Sequence, residues 1–408
     1  MRALPLSCVA LLAACVATVD ESGRPCPCSG GWRCCAAEGV CVREAEVCKP
    51  PFPPNPRFDA LGDGEAMDLG PFRCEPLAGE GTDDCKAITD DAALRYDRRH
   101  HRFYLLGHGN TANDALYAFD PQTLVWTAVY APTPCASMAA VNYDADAGAW
   151  LSGPGAGWPR PLGTSAKDLL VPVPERDELV LLQRGPRFAD ACSPVASRGD
   201  ERVAHFDIDA GAWSFSDALI DGMPDYPGAL EAWEWDPPSQ QLVGVGQAGL
   251  YVYDPATRTK RRVVADLSAQ DLGFGNELVF DGASQTHYYF ERQRRRLFML
   301  ALDRAQPFQS SLAEVAFTGA YPTHDEPGFA WDERNGIIGG AVLDGAFTAF
   351  DPATGAFTTR VMRGADGGPA GAGTMQGHCI AYDPVDAVFV FVTTLASGFR
   401  TWAYRHRR

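Results

Sequence analysis

Residues 114–126, DALYAFDPQTLVW, decide how the rest of this chain is read. Apolar residues alternate up to Phe119-Asp120-Pro121, the chain turns over Gln122 and Thr123, and it leaves through Val125 and Trp126. Alternation, a turn bearing Asp and Pro, and a second apolar run are the marks of a β-hairpin. The same order returns at Asp97, Asp144, Asp207, Asp236, Asp332, Asp351 and Asp383: an aromatic or apolar residue, Asp, a few turn residues, then an aromatic or apolar residue six after the Asp.

These hairpins fall into pairs, and two antiparallel hairpins make a four-stranded unit. Residues 92–106 pair with 115–129, 169–182 with 202–215, 230–245 with 249–264, 277–290 with 297–315, and 328–341 with 346–361. The last unit, 378–392 with 398–405, stops one strand short, and residues 138–151 form a hairpin whose partner within 152–167 is degenerate. Seven repeats of about 45 residues match the period of a propeller blade. A solenoid of that period would need helices, and no helical pattern is evident. The expected fold is therefore all-β: a β-propeller of seven four-stranded blades, preceded by a small disulfide-rich module. Six blades, with residues 138–167 as an insertion, is the alternative count. An open ring would leave an unpaired edge, so residues 66–73, the one unassigned strand ahead of the first unit, are expected to supply the missing partner.

The units resemble Kelch and galactose-oxidase-like propellers. The resemblance rests on Tyr117-x-Phe119-Asp120-Pro121-x-Thr123-x-x-Trp126, on the matching FTAFDPATGAF of residues 347–357, and on the Gly339-Gly340 pair that ends a second strand. Elsewhere the diglycine becomes Gly107-His108-Gly109 or Gly244-Val245-Gly246, and Trp126 is replaced by Lys260 or Phe357. A galactose-oxidase-type copper site would imply two Tyr, two His and a thioether-forming Cys. Cys379 beside His378 is the only local match, and no copper is expected.

The first 15 residues read as an address. Met1-Arg2, an apolar stretch over 3–14 and the run Leu12-Ala13-Ala14-Cys15 resemble a bacterial lipoprotein signal, which implies acylation of Cys15 and an outer-membrane or surface location. Cleavage near Ala17 with full secretion is the alternative. Residues 16–49 form a second segment in which Cys26, Cys28, Cys34, Cys35, Cys41 and Cys48 crowd together. An exported piece this small needs covalent staples, and three disulfides are expected. The spacing resembles hevein-like chitin-binding modules, but Ala36–Val40 lacks the aromatic residues with which those stack on sugar, so a knottin-like spacer is the reading. Adjacent cysteines without a nearby His speak against zinc in that segment. Residues 50–56, PPFPPNP, read as a stiff linker, and 57–408 as the propeller domain. Of the later cysteines, Cys74 is expected to pair with Cys85 and Cys135 with Cys192, leaving Cys379 as a buried thiol.

Formal charge is −17 with 46% hydrophobic residues, and only four lysines accompany 31 arginines. Phosphate would be repelled, which sets nucleic acid aside as a partner. Arg292–Arg296 reads as a solvated strand turn and His100-His101 as an exposed one. Asp366 in residues 365–368 and Asp351 could touch Ca²⁺, but a calcium loop needs several regularly spaced oxygens. No cofactor is expected, and no Gly-x-Ser-x-Gly or His-Glu-x-x-His motif occurs.

The residues entering the innermost strands should share one face of the ring. They are Asp90, Asp91, Glu231, Asn276, Glu277, His324, Asp325 and His378, with a long loop at 186–201. That face is acidic and polar and suits a cation, a basic peptide or sugar hydroxyls. The expected role is a monomeric envelope lipoprotein that binds or scaffolds a protein or glycan. An extracellular hydrolase or lyase acting on glycans or peptides is the alternative. If Cys15 carries the lipid, Cys15→Ser moves the protein from the membrane to the soluble fraction on cell fractionation.

Overall fold

The computed structural model describes residues 32–35, 40–43, 52–72, 74–75, 92–106, 114–130, 138–145, 149–153, 158–161, 163, 166–182, 202–219, 232–246, 248–265, 267, 270, 272–273, 276–323, 328–364, 373–374, 377–395 and 398–407. Strands dominate, and the one α-helix among these residues is the single turn Pro56–Asp59.

The recurring Asp closes each hairpin. One carboxylate oxygen of Asp120 accepts the backbone N–H of Gln122 at 2.8 Å and of Thr123 at 3.4 Å. Asp254, Asp281, Asp332, Asp351 and Asp383 each accept two N–H groups of their own turns in the same way. The side chain mimics a backbone turn and satisfies donors the turn would leave bare. The fourth residue after the Asp is then left-handed, whether it is Gly211, Gly336 or Gly355 or the bulkier His101, Leu124, Gln240, Arg258, Gln285 or Ala387.

With the turn fixed, the residue before the Asp stands opposite the residue six after it. Phe119 faces Trp126 and Phe206 faces Trp213, each with rings 5.1 Å apart. Phe350 faces Phe357 at 4.9 Å and Tyr382 faces Phe389 at 5.1 Å. Such cross-strand aromatic pairs stabilise by roughly 0.5–1 kcal/mol each. In the fourth sheet Lys260 replaces the second aromatic residue and lays its ammonium 4.4 Å from the Tyr251 ring, keeping a contact across the same two strands.

Seven successive antiparallel sheets result, and the fold is a β-propeller. The innermost strands of six of them, Ala92–Asp97, Leu170–Val173, Ala232–Asp236, Glu277–Asp281, Phe329–Asp332 and Ile380–Asp383, each touch two neighbours in a closed ring. The second sheet is reduced. Its three short strands, Tyr143–Asp144, Ala149–Trp150 and Arg160–Pro161, pack on the outer strand Ala212–Leu219, with the Arg160 guanidinium 4.3 Å from the Tyr130 ring. It touches that outer strand through Arg160–Pro161, and Ala92–Asp97 also meets Leu170–Val173.

Close approach explains the diglycine. A Cβ at Gly339 would lie 2.6 Å from the Phe347 ring, and one at Gly340 1.9 Å from the Gly328 carbonyl oxygen. The Arg292–Arg296 stretch is the solvated turn expected, between Thr286–Glu291 and Arg296–Ala301.

The ring is closed by the N-terminal strand Glu65–Pro71, which pairs antiparallel with Gly398–Arg405 from Glu65 opposite Arg405 to Pro71 opposite Arg400. Arg400 pairs with Asp68 across this seam. The preceding residues correct the linker reading. Asn55 is buried, its backbone N–H donates to Asp386 at 2.6 Å and its side-chain amide to the Pro121 carbonyl at 2.5 Å. Phe52 onward therefore belongs to the propeller and is no free spacer. His101 is corrected as well. It is buried beneath Phe52, with ring centroids 5.1 Å apart, instead of exposed. Deleting residues 57–71 exposes the last strand edge, and the expected outcome is a melting temperature lower by roughly 5–10 °C in calorimetry.

Candidate functional site

Strand alternation makes a charged residue inside an apolar inner strand conspicuous, and two occur: Arg95 in AALRYD and Glu234 in AWEWD. Two further carboxyls join them. Asp168 stands on the short turn Lys167–Leu169 ahead of the third sheet, and Glu277 opens the inner strand of the fifth. The turn Lys167–Leu169 touches the inner strands of the first and fourth sheets and the short strand Gly377–His378, so it lies across one end of the axis.

Asp168 ties the blades together there. Its Oδ1 accepts from Arg95 Nη2 at 2.5 Å and its Oδ2 from the Leu278 backbone N–H at 2.8 Å. Arg95 Nε also donates to the Leu170 carbonyl at 2.7 Å. Both partners are buried, and a desolvated ion pair persists only when its remaining donors and acceptors are met in this way. The first, third and fifth sheets are thus joined at the axis.

The other two carboxyls respond to that pair. Glu277 Oε1 accepts the Gly328 N–H at 2.5 Å. Burial drives its carboxyl well above the usual range, the Asp168 charge adds to the effect, and Arg95 opposes it. The direction of the shift favours the neutral form of Glu277 over the carboxylate. Glu234 is partly exposed and accepts the Trp235 N–H at 2.8 Å. Burial pushes it up to about 7, against the pull of Arg95. Arg98, which pairs with Glu333 at 2.6 Å, adds a weaker downward pull on Glu234. The axis therefore holds a fixed ion pair, a buried carboxyl raised above its usual range and a carboxyl pushed up to about 7.

Of the residues expected from the sequence, Asn276 and Glu277 are placed and buried. Asn276 donates to the Gly273 carbonyl and to the Tyr289 hydroxyl, both at 2.6 Å, and serves its own loop. The backbone of His378 runs parallel to Ala92 and Ala93, at the plugged end of the axis. Asp90, Asp91, Glu231, His324 and Asp325 lie outside the described residues, as do Cys15, Cys26, Cys28, Cys48, Cys85, Cys135 and Cys192. Cys34 and Cys35 lie on the strand Trp32–Cys35, and Cys74 on Cys74–Glu75, which runs parallel to Val125–Tyr130. Cys41 is buried and disulfide-bonded, and Cys379 is a buried thiol donating to the Ala92 carbonyl at 3.5 Å.

Sequence reasoning missed Asp168, Arg95 and Glu234. Asp168 holds the position sought in every other unit, directly ahead of the first strand. Among the described residues no helix is long and apolar enough to cross a membrane.

No family model matches the chain, and no curated protein matches it by sequence. Solved structures similar to it include an auxiliary nutrient binding protein from Bacteroides ovatus, at 13% identity and a TM-score of 0.47, covering 86% of this chain and 75% of that one. Another is the calcium-binding protein regucalcin from Agrobacterium tumefaciens, at 14% identity and 0.45, covering 79% and 92%. A third is the extracellular domain of a putative one-component system from B. thetaiotaomicron, at 11% and 0.44, covering 85% of this chain and 38% of that one. Likenesses this distant say nothing of ligand or activity.

Glu234 gives a pH signature. Its folded value lies above the unfolded one of ~4.3, so the stability it contributes is complete below that value and is lost as pH rises through about 7. Glu234→Gln removes this loss, which is on the order of 2 kcal/mol after allowance for partial exposure. The melting temperature of the variant, measured against the natural chain, should gain roughly 3 °C between pH 5 and pH 8.

Proposed function

We propose that this chain is an exported lipoprotein, anchored through Cys15, whose Kelch-like propeller binds a protein or glycan partner in the cell envelope. The observation that supports this reading is the axial carboxyl of Glu234, partly exposed and poised near neutrality beside the fixed Arg95–Asp168 pair. An amine or guanidinium brought to Glu234 would draw its proton off and gain a charge-assisted hydrogen bond in a poorly solvated setting. Sugar hydroxyls would find an acceptor in Glu234. An anionic ligand would instead meet a chain of formal charge −17. Because Lys167–Leu169 covers one end of the axis, the ligand approaches Glu234 from the end marked by Arg98 and Glu333.

Two axial carboxyls that burial raises to different extents favour one second reading, an extracellular hydrolase or lyase, since acid–base chemistry uses such pairs. One experiment separates them. The immobilised natural chain should retain a basic protein or a glycan from envelope extracts, with retention rising between pH 6 and pH 8. Glu234→Gln should lower it at least tenfold. Equal retention by the variant overturns the axial site, and cleavage of the retained partner, lost in the variant, establishes the hydrolase or lyase.

A further inference from the structure

His101, Asp383 and Asp386 converge where the first and seventh sheets meet the N-terminal segment. His101 Nε2 lies 2.9 Å from Asp383 Oδ2 and 3.5 Å from Asp386 Oδ2. All three residues are buried, and their ligand atoms lie within 4.8 Å of one another.

The second oxygen of each carboxylate is already engaged. Asp383 Oδ1 accepts the Val385 N–H at 2.9 Å and the Asp386 N–H at 3.3 Å. Asp386 Oδ1 accepts the Asn55 N–H at 2.6 Å. These bonds turn both Oδ2 atoms toward the imidazole, the arrangement by which outer partners orient metal ligands. Asp386 Oδ2, on a residue only 2% exposed, receives no hydrogen bond and faces the same point.

We propose that this cluster is a divalent transition-metal site, with Zn²⁺ the best fit, in which His101 Nε2, Asp383 Oδ2 and Asp386 Oδ2 are the protein ligands. Bonds of ~2.0–2.2 Å to zinc put adjacent ligand atoms about 3.0 Å apart at a right angle and about 3.4 Å at the tetrahedral angle, and the two separations measured from His101 Nε2, 2.9 and 3.5 Å, bracket that range. One imidazole with two carboxylate oxygens suits zinc better than Ca²⁺, which takes six to eight oxygens at longer distance. A divalent ion that displaces the imidazole proton would cancel the charge of the two buried carboxylates. The ion would clasp the turn after Ala92–Asp97 to the turn after Ile380–Asp383, with Asn55 bonded to one of its ligands.

The test is a titration of the chelator-stripped full chain with Zn²⁺ alone. One equivalent should bind, and at saturation the melting temperature should rise by roughly 5 °C. His101→Gln and Asp386→Asn should each weaken binding at least a hundredfold; Asp383 is left intact because it caps its turn. X-ray absorption on the zinc-loaded natural chain keeps the question open to decision if a variant misfolds. A shell of one imidazole with oxygens supports the site. A sulfur-containing shell, no binding at all, or binding unchanged in the double variant overturns it.

Discussion

One carboxylate oxygen accepting the N–H groups of the turn that follows it sets the geometry of this ring. The cap fixes the turn, the turn fixes the register, and the register brings the aromatic residue before the Asp against the residue six beyond it. The other oxygen then becomes available to tie turns together. Asp383, whose Oδ1 caps its turn, meets His101 of the first sheet through Oδ2 at 2.9 Å, and Asp236 receives the Arg304 guanidinium of the fifth sheet at 2.7 and 2.9 Å. A residue needed for a local turn thus also links blades, with no additional side chain required.

The axis follows different physics from the turns. Between blades the inner strands meet through apolar side chains, and clusters such as Ala93, Leu170, Leu181 and Trp233 run continuously from one sheet to the next. At the axis the inner strands carry charged groups that are largely buried, and a buried charge must be paired or neutralised. Arg95 and Asp168 pair, burial shifts Glu277 toward its neutral form, and Glu234, nearer solvent, is pushed up to about 7. Such balanced carboxyls mark where a ligand's charge has the most effect.

The hairpins were legible in the sequence because their signal is local: Asp, turn and aromatic partner lie within eight residues. The closing strand was legible for a different reason, since a ring one strand short requires a donor and residues 66–73 alone were free to serve. What could not be read depends on distance. Asp168 reaches a backbone N–H 110 residues away in Leu278, and nothing near Asp168 signals that partner. His101 reads as a turn residue, and its burial is created by Phe52 and Asp383, which lie far from it in the chain. Residues 138–167 show one hairpin and a degenerate partner, and the contact of Arg160–Pro161 with Ala212–Leu219, some fifty residues on, has no local signal.

Pairing Glu65 with Arg405 sets an order of events for a protein emerging from a ribosome or an export channel. The strand that must fill the last gap appears early and has no partner until more than three hundred residues have followed. Local hairpins can form at once, but the seam is a contact of very long sequence separation and is made late. During that interval an apolar edge stays uncovered at each end of the growing array, and it is in this window that the chain is most exposed to misassembly.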